Sequence, residues 1–174
     1  HVAEFVDNVD YIGIVGGKDN SKEFIEEELE KAGIKHHLVV APDRFTTLKR
    51  RFISGNYPSA VEFKNGSASV KMQKLFEVAF MGDNPVDRGV EEEICSLFEK
   101  LVGEKDLVIL ADFGHGMITP RIRKLIAEKS KWWSLTAQTN STNFGFNLVT
   151  KYRKPNFLCL DELEARLPFS DRYR

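Results

Sequence analysis

The chain lacks any apolar run long enough to cross a bilayer, which excludes a helical membrane span and leaves no expectation of a membrane partner. Cysteine is scarce: Cys95 and Cys159 are the only two, far apart and both in apolar settings. That excludes a disulfide-framed scaffold and reads as two buried thiols in a reducing compartment, with the cytoplasm as the default. An excess of one charge is also missing. Lys and Arg number 25 against 26 Asp and Glu, for a formal net charge of -1, so the basic footprint of a nucleic-acid binder is absent. The four histidines show no metal-ligand spacing, and His36-His37 reads as a turn. No signal-peptide pattern, internal repeat, low-complexity run or interdomain linker is found. What is present is ordinary for a globular chain: 174 residues, 42% hydrophobic and 29% charged. That is one domain or a large part of one, long enough to bury a core.

Residues 106–120, DLVILADFGHGMITP, organise the rest. The run Leu107–Ala111 predicts a strand buried on both faces of a parallel sheet. Thr119-Pro120 predicts an N-cap with proline in the first turn of a helix, whose apolar stripe is Ile122, Leu125 and Ile126. Ligands of open α/β sheets bind beyond the carboxyl ends of strands, so Asp112–Gly116 is the place to look for a site. Upstream, Tyr11–Val15 reads as a strand and Gly16–Asp19 as a tight turn. Asn20 or Ser21 would cap the next helix, with Glu23 placed for a capping box from Asn20. Phe24, Ile25, Leu29 and Ala32 form its inner face, Gly33 ends it, and His37–Ala41 is a second strand. Strand, helix, strand opens an α/β fold. Residues 45–80 read as a β-meander projecting from that body, although Lys71–Ala79 also fits a helix. Val90, Ile94, Leu97, Phe98 and Leu101 predict a helix after Pro85, closed at Gly103. Trp132–Ala137 and Asn156–Leu160 read as strands, Phe144–Tyr152 as a short helix, and Asp161–Leu167 as a last helix capped by Asp161.

Several constellations carry chemistry, each beside a plainer reading. Lys49 and Arg51 alternate with Arg50, which puts two cations on one strand face; they suit an anionic ligand or a solvated surface equally. Asp112 is placed to hydrogen-bond a sugar hydroxyl, Gly114 and Gly116 to bring backbone amides close to a ligand, and His115 to donate a proton or contact an anion. The plainer reading is a polar loop with glycine turns. Asp161 and Glu164 stand three apart at a helix start, either as a water-mediated magnesium site or as a capping box. Asn140, Asn143 and Asn147 are ordinary loop material. Two Asn-X-Ser/Thr matches, at Asn65 and Asn140, carry little weight in a cytoplasmic chain.

Taken in order, IGIVGG, KAGI, RFTTLKRRFI, KMQKLFEV, DLVILADFGHG and FLCLDELEARL resemble the ribokinase (PfkB) carbohydrate kinase superfamily. RFTTLKRRFI is similar to its Pro-Thr-Thr-x-Lys-x-Arg segment, ADFGHG to Ser-Asp-Tyr-x-Lys-Gly, and FLCLDELEARL to Thr-Pro-Asn-x-x-Glu-Ala. Within the superfamily the pattern is most similar to heptose-phosphate kinase domains of bifunctional kinase/nucleotidyltransferase proteins of the ADP-heptose synthase type. The resemblance implies an α/β, ribokinase-like fold: a central, mostly parallel sheet flanked by helices, with a small β lid at about 45–80. It places Lys49, Arg51 and Gln73 at the lid, and Asp112, Gly114, His115 and Gly116 beside a sugar or sugar phosphate. Asn140, Asp161 and Glu164 would face ATP, with Asp161 and Glu164 ordering Mg through water. A homodimer through the lid is implied as well.

His115 stands where the family has lysine, and Asp161 where it has asparagine. The family's Gly-Gly sugar signature and its Gly-Ala-Gly-Asp loop, which carries the catalytic aspartate, are not found in residues 1–174. The expectation is therefore a partial kinase domain with no catalytic residue of its own, the aspartate lying beyond Arg174. Two further readings stand beside it. One is a catalytically inactive module that binds sugar phosphate or dimerises; the other is a Rossmann-like nucleotide-binding domain, against which the lid strands argue.

Overall fold

The computed structural model describes residues 1–54, 61–64, 67–70, 73–140 and 143–170, with the backbone alone for 61–64, 67–70 and 73. Within them the chain is mixed α/β, with small parallel and antiparallel sheets flanked by helices. Strand β1 (Asp10–Gly16), helix α1 (Ser21–Lys31) and strand β2 (Lys35–Ala41) form the opening unit, and β1 and β2 pair in parallel from Asp10↔Lys35 to Gly16↔Ala41. His36 and His37 therefore belong to a strand and not to a turn. The helix starts without the expected capping box: Asn20 makes no side-chain cap, because Asp19 Oδ1 takes the Ser21 amide at 2.9 Å. Of its expected inner face, Ile25 and Leu29 are half-buried, whereas Phe24 and Ala32 are exposed.

Among the described residues the segment expected as the lid forms nested hairpins, not a sequential meander. Strand β3 (Leu48–Ser54) pairs antiparallel with β6 (Gln73–Phe80), and β4 (Val61–Lys64) pairs with β5 (Ser67–Val70). The strand reading of the segment before Phe80 holds over the helical one. Alternation puts Leu48, Arg50, Phe52, Phe76, Val78 and Phe80 on one face of the β3–β6 ribbon, with the Phe52 and Phe76 rings stacked at 4.4 Å.

Helix α2 (Arg88–Val102) is capped by Asp87, which accepts from the Val90 amide, and it buries Val90, Ile94, Cys95, Phe98 and Val102. It leads into β7 (Val108–Asp112), α3 (Pro120–Lys129) and β8 (Trp133–Ala137). A 3₁₀ turn at Val149–Lys151 replaces the helix expected over Phe144–Tyr152. Strand β9 (Phe157–Leu158) and helix α4 (Glu162–Arg166) follow, with further 3₁₀ turns at Val2–Glu4 and Leu167–Phe169. Thr119 caps α3 as expected, with Pro120 at its start.

Strands β7, β8 and β9 form a second parallel sheet, and no ladder joins it to β1–β2 among the described residues. The two ladders are tied by side chains instead. Val39 and Ala41 of β2 share one core with Ile94 and Phe98 of α2, Ile122 and Ile126 of α3, and Trp133 and Leu135 of β8. Each fully buried aliphatic or aromatic side chain contributes about 1.5–3 kcal/mol. Strand β7 buries only one face: Leu110 and Asp112 point inward, while Ile109 and Ala111 are exposed, since no described element covers their side. Cys95 is buried as expected, but Cys159 is exposed. Among the described residues no helix is long and apolar enough to cross a membrane.

Candidate functional site

The carboxyl end of β7 is built around Asp112, which is 4% exposed. Its Oδ1 accepts from the Gly114 amide at 2.8 Å; its Oδ2 accepts from the Tyr152 hydroxyl and pairs with Lys151 Nζ at 2.7 Å. Burial, reinforced by the charge of Asp112 and the hydrogen bond to it, pushes the Tyr152 hydroxyl far above the ordinary tyrosine range. Lys151 also lies over the Tyr152 ring, 5.3 Å from its centre, and donates to Asn147 Oδ1. A carboxylate so deeply buried requires such partners, and here both oxygens have them inside the chain.

Beyond Asp112 the backbone turns through Gly114 (φ +74°) and Gly116 (φ +80°), conformations costly for any residue with a Cβ. Space is equally restrictive. A Cβ on Gly116 would run into the Asn84 carbonyl, and one on Gly114 into the Asn143 amide. The three asparagines hold this loop in place. Asn143 Nδ2 and Asn140 Nδ2 both donate to the Phe113 carbonyl, at 2.9 and 3.0 Å, while Asn147 Nδ2 donates to the carbonyls of Asp112 and Gln138. Asn140 and Asn143 also exchange side-chain to backbone bonds. The outcome is a cleft of about 360 Å³ bordered by Asp83, Gly114, Gly116, Asn143, Asn147 and Lys151, with Asp112 at its floor.

On the other side of the same loop, His115 faces a second cleft of about 230 Å³ beside Gly16, Arg44, Thr46, Thr47 and Gly82. His115 Nδ1 is buried without a hydrogen bond, 3.5 Å from the Asp83 carboxylate and out of alignment with it. The root of the lid is fixed here. Thr46 donates to Asp19 through its amide at 2.6 Å and its hydroxyl at 2.9 Å, and that hydroxyl accepts from the Gly16 amide. Hydrogen bonds from Ser21, its side chain first, and from the Thr46 amide hold the Asp19 carboxyl down at about 2.

The other expected positions lie apart from these clefts. Lys49 and Arg51 share one exposed face of β3, where Arg51 Nε pairs with Glu77 at 2.8 Å. Neither borders the two clefts. Gln73 opposes Ser54 in the ribbon, and its side chain lies outside the described residues, as does Asn65.

Asp161 and Glu164 form a complete capping box, with Glu164 N to Asp161 Oδ1 at 2.7 Å and Asp161 N to Glu164 Oε2 at 3.0 Å. The remaining Glu164 oxygen accepts the Thr139 amide at 3.0 Å, so α4 is tied to the asparagine loop. Among the described residues no group of three or more His, Cys, Asp or Glu side chains is placed to hold a metal ion.

Sequence reasoning missed Tyr152, Lys151 and Arg44. A usable signal existed for Tyr152: a tyrosine in an apolar setting needs a partner for its hydroxyl, and Asp112 is an acid at the end of a buried strand.

No family model matches the chain. Curated relatives do. The bifunctional protein HldE of Rhodopseudomonas palustris (strain BisA53) is 29% identical over 150 residues, 83% of this chain and 28% of the relative. That of Campylobacter jejuni is 23% identical over 154 residues, 88% of this chain and 28% of the relative. That of Bradyrhizobium sp. (strain ORS 278) is 25% identical over 122 residues, 70% of this chain and 22% of the relative. The chain thus spans about a quarter of the length of the curated relatives it matches, and over most of its own length it is similar to bifunctional HldE proteins.

Proposed function

We propose that the chain is part of a ribokinase-like kinase domain, and that the protein it belongs to transfers the γ-phosphoryl group of ATP to a hydroxyl of a sugar or sugar phosphate. The proposed setting is cytoplasmic synthesis of activated-sugar or polysaccharide precursors. One observation carries the reading: the loop after β7, shaped by two glycines that tolerate no side chain, separates two clefts beside the root of a β lid. Phosphoryl transfer needs two substrates held in line and shielded from water, and a strand-end loop under a lid supplies such a frame. In this reading Gly114, Gly116 and His115 meet the sugar, while Asn140 lies on the nucleotide side. Asp112 acts through Tyr152 and Lys151 by holding the loop. Magnesium would arrive with the nucleotide phosphates. The exposed Leu48, Phe52, Phe76, Val78 and Phe80, which surround Arg50 on one face of the β3–β6 ribbon, support the proposed homodimer through the lid.

The similarity to HldE proteins supports the sugar-kinase direction. A second reading has its own observation. Both oxygens of Asp112 and both of Glu164 accept hydrogen bonds inside the chain, a structural use that suits a non-catalytic module that binds sugar phosphate. Phosphorus NMR on the full-length protein with ATP, magnesium and heptose phosphates, followed by calorimetry with the same sugars, separates the two. Formation of ADP and a new sugar phosphate is expected. Saturable sugar-phosphate binding without turnover would replace the kinase by the module, and neither binding nor turnover would refute both.

A further inference from the structure

Arg44 is only 8% exposed, yet no carboxylate is buried beside it. Its nearest acid, Asp43, is half exposed, with Oδ1 3.4 Å from the Arg44 Nε. Nη1 donates to the His115 carbonyl at 3.4 Å, and Nη2 to the Pro85 carbonyl at 3.2 Å. A guanidinium has five N–H donors, so these three long contacts leave one N–H on each terminal nitrogen without a partner among the described residues. A buried cation held only by carbonyls and a solvated acid is unfavourable unless an opposite charge completes it.

The space for that charge exists. Arg44 borders the 230 Å³ cleft on the His115 side of the loop, several times the room one water takes. Gly82 keeps it open: a Cβ there would stand 3.7 Å from Nη1, in ordinary contact, and any longer side chain would extend over the guanidinium. His115 also borders this cleft, but its buried Nδ1 faces the Asp83 carboxylate at 3.5 Å and does not donate into it. Among the described residues no Asp or Glu lines the cleft.

We propose that this cleft is an oxyanion site, which takes a phosphate or carboxylate group on the two free N–H groups of Arg44. It lies across the 113–116 loop from the Asp112 cleft. It rests on the burial and geometry of Arg44 and does not depend on the reaction proposed above.

The test is a nitrogen-15 arginine side-chain NMR titration of the chain, with inorganic phosphate and acetate added separately at constant ionic strength. The exposed Arg50 and Arg153 serve as internal controls. The expected result is a saturable shift of the Arg44 Nε–H signal with phosphate, acetate or both, larger than at either control, and at least tenfold weaker binding in Gly82→Leu. A response to phosphate alone assigns a phosphate group; a response to acetate alone assigns a carboxylate. Should Gly82→Leu fail to fold, the unmodified chain still decides. No saturable shift with either anion, or an Arg44 response no greater than that of the controls, overturns the site, as does unchanged binding in a folded Gly82→Leu.

Discussion

Replacing Tyr152 by phenylalanine removes one hydroxyl and keeps the ring. The ring stays against Trp133, with centres 6.5 Å apart, and beneath Lys151. Asp112 keeps Lys151 Nζ and the Gly114 amide but loses its third donor, and at 4% exposure it has little access to water as a replacement. A hydrogen bond to a charged group is worth about 1.5–3 kcal/mol, and that is the expected loss of stability. For a chain of this size each kcal/mol moves Tm by about 2–4 °C, so the drop is about 3–12 °C. Urea unfolding should show a lower midpoint with unchanged slope, since the surface exposed on unfolding is the same. Combining Tyr152→Phe with Asp112→Asn should give a coupling of about 1 kcal/mol or more. The pH dependence has a definite sign. The folded tyrosine ionises far above its ordinary value of 10.0, so the unfolded state releases the proton first. Stability is present below pH 10 and falls as pH rises above it, and Tyr152→Phe should flatten that alkaline limb. A loss below about 0.5 kcal/mol together with an additive cycle would refute the claim that this bond holds the site.

Asp19, with its carboxyl at about 2 against an ordinary 3.8, stabilises the lid root above that ordinary value and stops doing so as pH falls through about 2. Asp19→Asn should therefore flatten the acid limb of stability measured by circular dichroism; an unchanged limb contradicts the Asp19–Thr46 tie. Gly116→Ala must accept a left-handed φ and a clash with the Asn84 carbonyl, whereas Gly145→Ala at φ +80° has open space around it. Thermal melts should put the first at least about 2 kcal/mol below wild type and the second only about 1–2, and equal losses would remove the close-packing argument. Lys49→Ala in the full-length protein should raise KM for an anionic sugar more than for a neutral one; equal effects would remove Lys49 as an anion contact.

Local chemistry made much of the fold legible. Val90, Ile94 and Phe98 recur at the helical period and are buried together, and Thr119-Pro120 begins a helix because cap and fixed φ act within one turn. The glycine loop after β7 was legible for a similar reason, since its strand-end position and its two glycines are local features. Long-range pairing was not. Nothing within residues 45–80 says that β3 seeks β6 across some twenty residues in place of its neighbour in sequence, and the alternation of apolar residues fits either pairing. The exposed face of β7 was missed because an apolar run reports the tendency to be buried, not the element that covers it. Asp112 stands out in the sequence as an acid at a strand end, but its internal partners do not: Tyr152 and Lys151 come from a segment forty residues away whose spacing imitates a helix. Arg44 carried no signal at all, because its burial is created by carbonyls of His115 and Pro85 that only the folded chain brings near.

The central claim is that the 113–116 loop and its asparagine frame receive a sugar phosphate. Backbone amide NMR of the chain, titrated with a heptose phosphate and with the unphosphorylated heptose, tests it directly. The account predicts saturable shifts concentrated at Gly114, His115, Gly116 and Asn143, stronger with the phosphorylated sugar. Shifts absent from that loop at saturation, or confined to the lid or the surface of α1, would contradict it.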